Sequence, residues 1–416
     1  MKVAYITAQA PYGRGETFII EEMLELKKTG TNLLIIPRNP TQNVFHEEAK
    51  NLLGDTLWFP LINSKMVVCL FSFFFMRPMI LLKLVRAIFK NSPDIKILIK
   101  NLTILPKSIF VARLIKNKNV SHIHAHWGST TATLAWLISE LTGIPWSFTL
   151  HRWDITENNM LREKVKTADF VRCISKTGRK ETLQIVGHEF ADKIKLIHMG
   201  VKVPYSSATL PSNSTRGRKS FTIVCPANFV EVKGHRFLIK ACSLLVRKGI
   251  TNFQCLLFGE GPLVGEIRGM LQKLGLEECV KVPGSIPHEK LMEMYERREV
   301  DAVVLPSINT DRGDMEGIPV ALMEAMAYGF PVISTHTGGI PELLSDGAGI
   351  IVQEQNPEQL AEAIEKLIKD EKLAMEVGER GYTRVKDQFN LFVNVKQLQM
   401  WMEKETKNWL SSTRSY

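Results

Sequence analysis

Asp314-Met-Glu316-Gly-Ile-Pro-Val-Ala-Leu-Met-Glu324-Ala-Met-Ala-Tyr-Gly-Phe-Pro-Val332 follows an apolar run, Ala302 to Pro306, and a polar stretch, Ser307 to Glu316. A short, wholly apolar run bounded by polar residues predicts a buried strand and then a loop. Pro319 predicts the first position of a helix, where the missing N–H is one that a helix leaves unpaired anyway. Pro331 to Ser334 predicts the next strand. Strand, loop, helix and strand in this order form a βαβ unit, which sets the fold class as α/β with a parallel sheet.

The same stretch carries two carboxylates. Glu316 falls just before the predicted helix and Glu324 on it, with Gly317, Ile318, Pro319 and Val320 between them. Backbone amides there lie at the positive end of the helix dipole, which suits an anionic or hydroxyl-rich ligand. Carboxylates beside them can accept hydrogen bonds from the vicinal hydroxyls of a sugar. Taken alone, two glutamates at a helix start also fit a solvated face.

Outward from this unit the alternation continues. The first half predicts strands at Lys2 to Thr7, Asn32 to Pro37, His122 to Ala125, Trp146 to Leu150 and Phe170 to Ile174, with helices at about Thr17 to Thr29 and Thr130 to Thr142. Pro204 to Lys219 is rich in Ser, Thr and Pro and has no periodicity, so it predicts a linker. The alternation restarts at Phe221 to Cys225 and runs on through Gln254 to Phe258, Val280 to Val282 and Gly349 to Val352. Leu391, Val395, Leu398 and Met402 form one stripe of a last helix. The expected organisation is a first Rossmann-like, doubly wound domain over 1–203, a linker over 204–219, a second over 220–386 and a C-terminal helix over 387–416.

Composition excludes several classes. The chain has 416 residues, 45% hydrophobic and 23% charged, which is globular rather than disordered. Its six cysteines show no C-x-x-C spacing and sit in apolar patterns, so they read as reduced, buried thiols of a cytoplasmic protein without a metal cluster. Met1 to Ile6 enters a strand directly, so no signal peptide is expected. The net charge of +10 is uneven: the first 200 residues hold 27 Lys+Arg against 16 Asp+Glu. Within them Met66 to Lys90 combines apolar bulk with Arg77, Lys83, Arg86 and Lys90, and the last three share one helical face. Its apolar run of 11 residues is too short to span a bilayer, but the segment suits a helix lying on an anionic membrane surface.

Pro306 to Leu343, with Glu316-Gly317-Ile318-Pro319 and Gly338-Gly339-Ile340-Pro341-Glu342-Leu343, resembles the donor site of retaining glycosyltransferases of family 4, in particular the bacterial exopolysaccharide and colanic-acid branch. Gly15-Glu16-Thr17-Phe18-Ile19, His122-Ile123-His124-Ala125-His126, Pro145 to His151 and Lys233-Gly234-His235 recur in the order of that family, so the resemblance spans most of the chain. It implies the GT-B fold, with two Rossmann-like domains facing across a cleft and a C-terminal helix crossing back to the first. It also implies a nucleotide-sugar donor and no metal or other cofactor. The acceptor it implies is a glycan or lipid-linked oligosaccharide.

The resemblance assigns roles by position. His151, at the end of a strand, reaches the transferred sugar; Lys233 is a point charge for the leaving diphosphate; Glu316 binds the sugar and Glu324 the ribose. Gly15 and Gly261 allow close backbone approach, and Gly317 to Val320 bind the donor. The family usually carries an arginine five residues before the lysine, where this chain has Asn228, so one positive charge of the donor clamp is missing. Gly13-Arg-Gly15-Glu-Thr-Phe18 lacks the third glycine of a dinucleotide fingerprint, which argues against NAD. His124 and His126 have no ligand-spaced partners and read as cleft lining or packing. Two other functions stand beside transfer: hydrolysis or epimerisation of a nucleotide sugar on the same fold, and binding of nucleic acid through the basic half. The latter has no recognition motif to support it.

Overall fold

The computed structural model describes residues 1–13, 16–204 and 220–413. Gly15 and nearly all of the expected linker, 205–219, lie outside the described residues. The chain divides into two units, Met1–Met199 with Leu391–Tyr416, and Gly200–Asn390. The division therefore falls at 199/200 and 390/391, a few residues from the breaks at 203 and 387 that composition suggests.

In the first unit the strands are β1 (Lys2–Thr7), β2 (Asn32–Pro37), β3 (His122–His126), β4 (Trp146–Leu150), β5 (Phe170–Cys173) and β6 (Ile194–Leu196). They form one parallel sheet in the order β2-β1-β3-β4-β5-β6. Helices cover both faces, so β3, β4 and β5 are buried at every position, and the polar residues within them must find their partners inside the protein. The helix Leu391–Thr413 belongs here: Leu391, Val395, Leu398 and Met402 are buried against Ile19, Ile20, Met23 and Leu26 of the helix Thr17–Lys28. Three helices, Ser64–Met76, Pro78–Asn91 and Ile95–Ile115, are inserted between β2 and β3.

The second unit repeats the plan with β7 (Phe221–Pro226), β8 (Phe253–Phe258), β9 (Val280–Gly284), β10 (Ala302–Leu305), β11 (Val332–Thr335) and β12 (Ile350–Val352). The order is β12-β11-β10-β7-β8-β9, again all parallel. Strand order reverses between β7 and β10, and loops leaving the carboxyl ends of strands at such a point diverge and leave a crevice. The site described below sits on those loops. One boundary differs from the sequence reading: the helix after β10 is Val320–Ala327, and Pro319 caps it with extended backbone, ψ 121°. The fixed φ of proline serves a cap as well as a first turn, so composition cannot separate the two positions.

Candidate active site

In the second unit the loops after β7 and β10 bring together two residues 83 positions apart. Lys233 Nζ donates to Glu316 Oε2 at 2.5 Å, and the Ser307 hydroxyl donates to the same oxygen at 3.2 Å. Both side chains of the pair are largely but not fully buried, 22% and 14% exposed, so the charges remain within reach of a ligand. Lys233 ends a short 3-10 turn, Glu231–Lys233, that precedes the helix His235–Arg247. Sequence reading gives Lys233 and Glu316 separate tasks; the fold makes them one charge pair.

The rest of the loop is held by backbone. Gly339 N–H donates to the carbonyls of Glu316 (3.3 Å) and Gly317 (3.1 Å), so the Gly338-Gly339 turn lies directly on the backbone that carries Glu316. Gly317, Ile318 and Val320 are half-buried and Pro319 buried, at the start of the following helix. Glu324, one turn into it, accepts from His288 Nε2 at 2.8 Å. Gly261 is pressed against the loop after β7, where an added Cβ would stand 2.5 Å from the Phe229 carbonyl oxygen. Phe229 N–H in turn donates to the Glu260 carbonyl at 2.8 Å, so the two loops are stitched together. Asn228, between them, is exposed. Arg236, three residues after Lys233, is exposed with its guanidinium 5.0 Å from the Phe237 ring centroid.

In the first unit His151 follows β4 and caps the helix Arg152–Glu157, its backbone N–H bonded to Asp154 Oδ2 at 3.0 Å. The ring is part-buried under Trp127, 4.3 Å between centroids. Its Nε2 lies 2.9 Å from His126 Nε2. Burial first, then the neighbouring His126 ring and the Arg172 guanidinium, pushes the His151 imidazole well below its usual range, so the ring is a neutral hydrogen-bonding group at pH 7. Trp127 keeps its place because its indole N–H donates to Glu16 Oε1, while Glu16 Oε2 takes the backbone N–H groups of Gln9 and Ala10. Glu16 thus ties the loop after β1 to the loop after β3. His122 and His124 share the Ser147 hydroxyl at 2.8 Å each and are fully buried, which makes them packing groups of the sheet. Of the two readings for these histidines, packing fits His124, whereas His126 lies against His151 at 2.9 Å.

Sequence reasoning missed Ser307 and His288, the partners of the two glutamates, because neither belongs to a motif. It also missed the buried Glu22 and Arg172. A signal for Arg172 was present: an arginine in Phe170-Val-Arg-Cys173, a strand buried at every position, must have a buried partner.

Residues 208–384 match the family model described as Glycosyl transferases group 1. The chain is 33% identical over 215 residues to the amylovoran biosynthesis glycosyltransferase AmsK of Erwinia amylovora, covering 51% of each chain. It is 36% identical over 204 residues to the putative colanic acid biosynthesis glycosyltransferase WcaL of Escherichia coli, covering 48% of each. The chain thus spans about half the length of the curated relatives it matches. Among solved structures, Anabaena HepE in complex with UDP superposes with a TM-score of 0.71 at 17% identity, covering 97% of this chain and all of that one. The fold is that of the GT-B glycosyltransferases, and the chain resembles the exopolysaccharide branch of the group 1 enzymes.

Proposed function

We propose that the chain is a retaining, metal-independent glycosyltransferase of exopolysaccharide or other cell-surface glycan synthesis. It moves a sugar from a nucleoside-diphosphate donor to a glycan acceptor carried on lipid, at the cytoplasmic face of an anionic membrane. The observation that carries this reading is the Lys233–Glu316 pair at the strand-order reversal of the second sheet, with Glu324 on the next helix. In this reading Lys233 meets the diphosphate, Glu316 the sugar hydroxyls and Glu324 the ribose, with Gly317 to Val320 and Gly261 lining the donor. The acceptor oxygen bonds to the anomeric carbon as the bond from that carbon to the β-phosphate oxygen breaks, and the acceptor proton passes to the departing phosphate. His151 offers a neutral imidazole to a sugar hydroxyl. Positive charge from Lys233 stands where a metal would otherwise meet the leaving group. HepE, one structural neighbour among several, has been solved with UDP and with UDP-glucose, which supports a nucleotide-sugar donor.

The test is a screen of nucleotide sugars for nucleotide release, with and without a lipid-diphosphate oligosaccharide acceptor and with and without chelator. Acceptor-dependent, chelator-insensitive release with retained anomeric configuration is expected. Free sugar released at full rate without acceptor would show a hydrolase instead. Within that assay Glu324→Ala should raise the donor KM by about 10²-fold or more, because two ribose hydroxyls each lose a charged acceptor at ~1.5 to 3 kcal/mol per bond. An unchanged KM at normal Tm would remove Glu324 from the donor site.

Membrane association rests on the inserted helices. None of the described helices is long and apolar enough to cross a bilayer, but Ser64–Met76 and Pro78–Asn91 form an apolar pair bent by 113°. Met66, Cys69, Leu84 and Ile88 face inward, whereas Phe71, Phe74, Phe75, Met76 and Met79 are exposed, Phe75 at 78% and Met79 at 75%. Apolar residues clustered this way at an elbow, with Arg77, Arg86 and Lys90 beside them, fit the headgroup–acyl boundary of an anionic bilayer better than water. Two of the basic residues in this region are otherwise engaged. Lys83 pairs with Glu140 at 3.3 Å, and Lys107 is buried, donating to the carbonyls of Pro37, Arg38 and Phe59. The protein is expected to sediment with anionic but not neutral vesicles. Because the elbow adds apolar contact to the charge, ~0.5 M salt should weaken binding and release fully only a variant with Phe75, Met76 and Met79 replaced by Ser. Equal sedimentation of that variant and of Lys83/Arg86/Lys90→Glu would rule this surface out.

A further inference from the structure

Behind His151 runs a buried polar chain that none of the assigned roles uses. Arg172 is fully enclosed; its Nε and Nη2 donate to the carbonyls of Ile197 (2.8 Å) and His198 (2.7 Å), and its Nη1 to Glu22 Oε2 (2.5 Å). Glu22 Oε1 is 2.6 Å from the Tyr5 hydroxyl, which is 2.8 Å from His126 Nδ1. His126 Nδ1 also lies 3.3 Å from Glu22 Oε1. The opposite ring nitrogen of His126 meets His151 Nε2 at 2.9 Å. Tyr5, Glu22, His126 and Arg172 come from β1, the helix Thr17–Lys28, β3 and β5, so four elements converge on one ring outside them.

The directions of these hydrogen bonds follow from counting protons. Burial alone would raise the Glu22 carboxyl, but the Arg172 guanidinium, with His126 and Tyr5, holds it well below the usual carboxylate range. An ionised carboxylate only accepts, so the single Tyr5 proton points at Glu22. The Tyr5 oxygen must then accept from His126, whose Nδ1 therefore carries hydrogen. A ring whose single proton sits on Nδ1 leaves Nε2 bare. The contact between the two imidazoles then requires that His151 donate through Nε2.

We infer that Glu22 and His126, bridged by Tyr5, are positioning residues that fix His151 in the Nε2–H tautomer, leaving Nδ1 as its hydrogen-bond acceptor for a sugar hydroxyl. The last clause rests on the glycosyltransferase reading; the tautomer does not. The arrangement also states what inverts it. In Glu22→Gln the Arg172 guanidinium requires the amide oxygen, so the amide N–H2 faces Tyr5. The Tyr5 oxygen must now accept, its proton turns to His126 Nδ1, the His126 proton moves to Nε2, and His151 is left with hydrogen on Nδ1. A ligand hydroxyl that must donate then meets a donor.

The experiment is long-range 1H–15N correlation on [15N]histidine-labelled full-length protein, with His151 assigned by its loss in His151→Gln. The wild type should show His151 as Nε2–H and His126 as Nδ1–H. In Glu22→Gln both should switch, and Tyr5→Phe should leave both unchanged, because His126 Nδ1–H can turn to Glu22 directly. In the transfer assay Glu22→Gln should lower kcat by about tenfold or more with the donor KM changed by less than about threefold. Wild-type His151 with hydrogen on Nδ1, or no switch in a folded Glu22→Gln, overturns the proposal; should that variant fail to fold, the wild-type spectrum decides alone. A tautomer switch with no transferase activity in any form of the protein would uphold the chain and count only against the transferase reading.

Discussion

Lys233→Ala is expected to lower kcat by about 10²- to 10³-fold, or ~2.7 to 4 kcal/mol, the effect typical of one lost electrostatic group at a reacting centre. The donor KM should move far less, because the charge on the leaving diphosphate grows as the sugar bond breaks and the lysine binds that state better than the ground state. A modest drop in Tm should accompany the kinetic loss, because the pair is largely buried, 22% and 14% exposed, and removing the lysine leaves the Glu316 carboxylate without its cation. Glu316→Ala should also depress kcat, but the double variant should lose less than the two single effects combined. Residues in direct contact are coupled, and removing one leaves the other without its partner. Steady-state kinetics on the three variants, with melting curves, checks this. Wild-type kcat in Lys233→Ala at normal Tm would show that the lysine serves the turn and not the donor. Additivity in the double variant would show that the pair does not act as a unit.

How much of this was legible beforehand depends on the range of each interaction. Strand positions were readable from short runs rich in aromatic and β-branched residues, continuous in Ala302–Leu305 and alternating with small hydroxyl residues in Trp146–Leu150. Glu316 and Glu324 were readable because eight residues of chain fix both relative to one helix start. Their partners were not. Ser307 is one of many polar loop residues, and His288 approaches Glu324 from 36 positions away. The contact between Lys233 and Glu316 exists because strand order reverses between β7 and β10, and nothing local specifies which strands become neighbours. The chain from Arg172 to His151 is harder still, since Glu22 and Arg172 are 150 residues apart. The apolar helix pair shows the opposite failure. Phe74, Phe75 and Met79 are as hydrophobic as core residues, so sequence alone cannot tell an elbow in solvent from a buried hairpin.

Gly338→Ala should cause the largest loss among the backbone changes, lowering both Tm and kcat. Gly338 has φ +55°, a left-handed conformation that costs a residue with a Cβ about 1 to 2 kcal/mol. Its added Cβ would also stand 1.8 Å from the Glu316 carbonyl oxygen and 2.8 Å from the carbon, so the strand of loop carrying Glu316 must move. That shift loosens the bonds from Gly339 N–H to Glu316 and Gly317, and it takes the Glu316 carboxylate away from Lys233. Misplacement of a positioning group by about 1 Å can cost ~10²-fold in rate, so activity should fall by at least that factor even in the fraction that stays folded. The control is the same chemical change elsewhere in the unit. Gly265 and Gly269 lie in the helix Val264–Leu274 with open space where a Cβ would go. Alanine at either should stabilise by ~0.5 to 1 kcal/mol, since the unfolded chain loses more freedom and no contact is strained. Differential scanning calorimetry and transfer kinetics on the three variants decide the matter. A Gly338→Ala protein with wild-type Tm and kcat would mean that the Gly338-Gly339 turn can retreat from Glu316, and that the donor carboxylate is held by Lys233 and Ser307 alone.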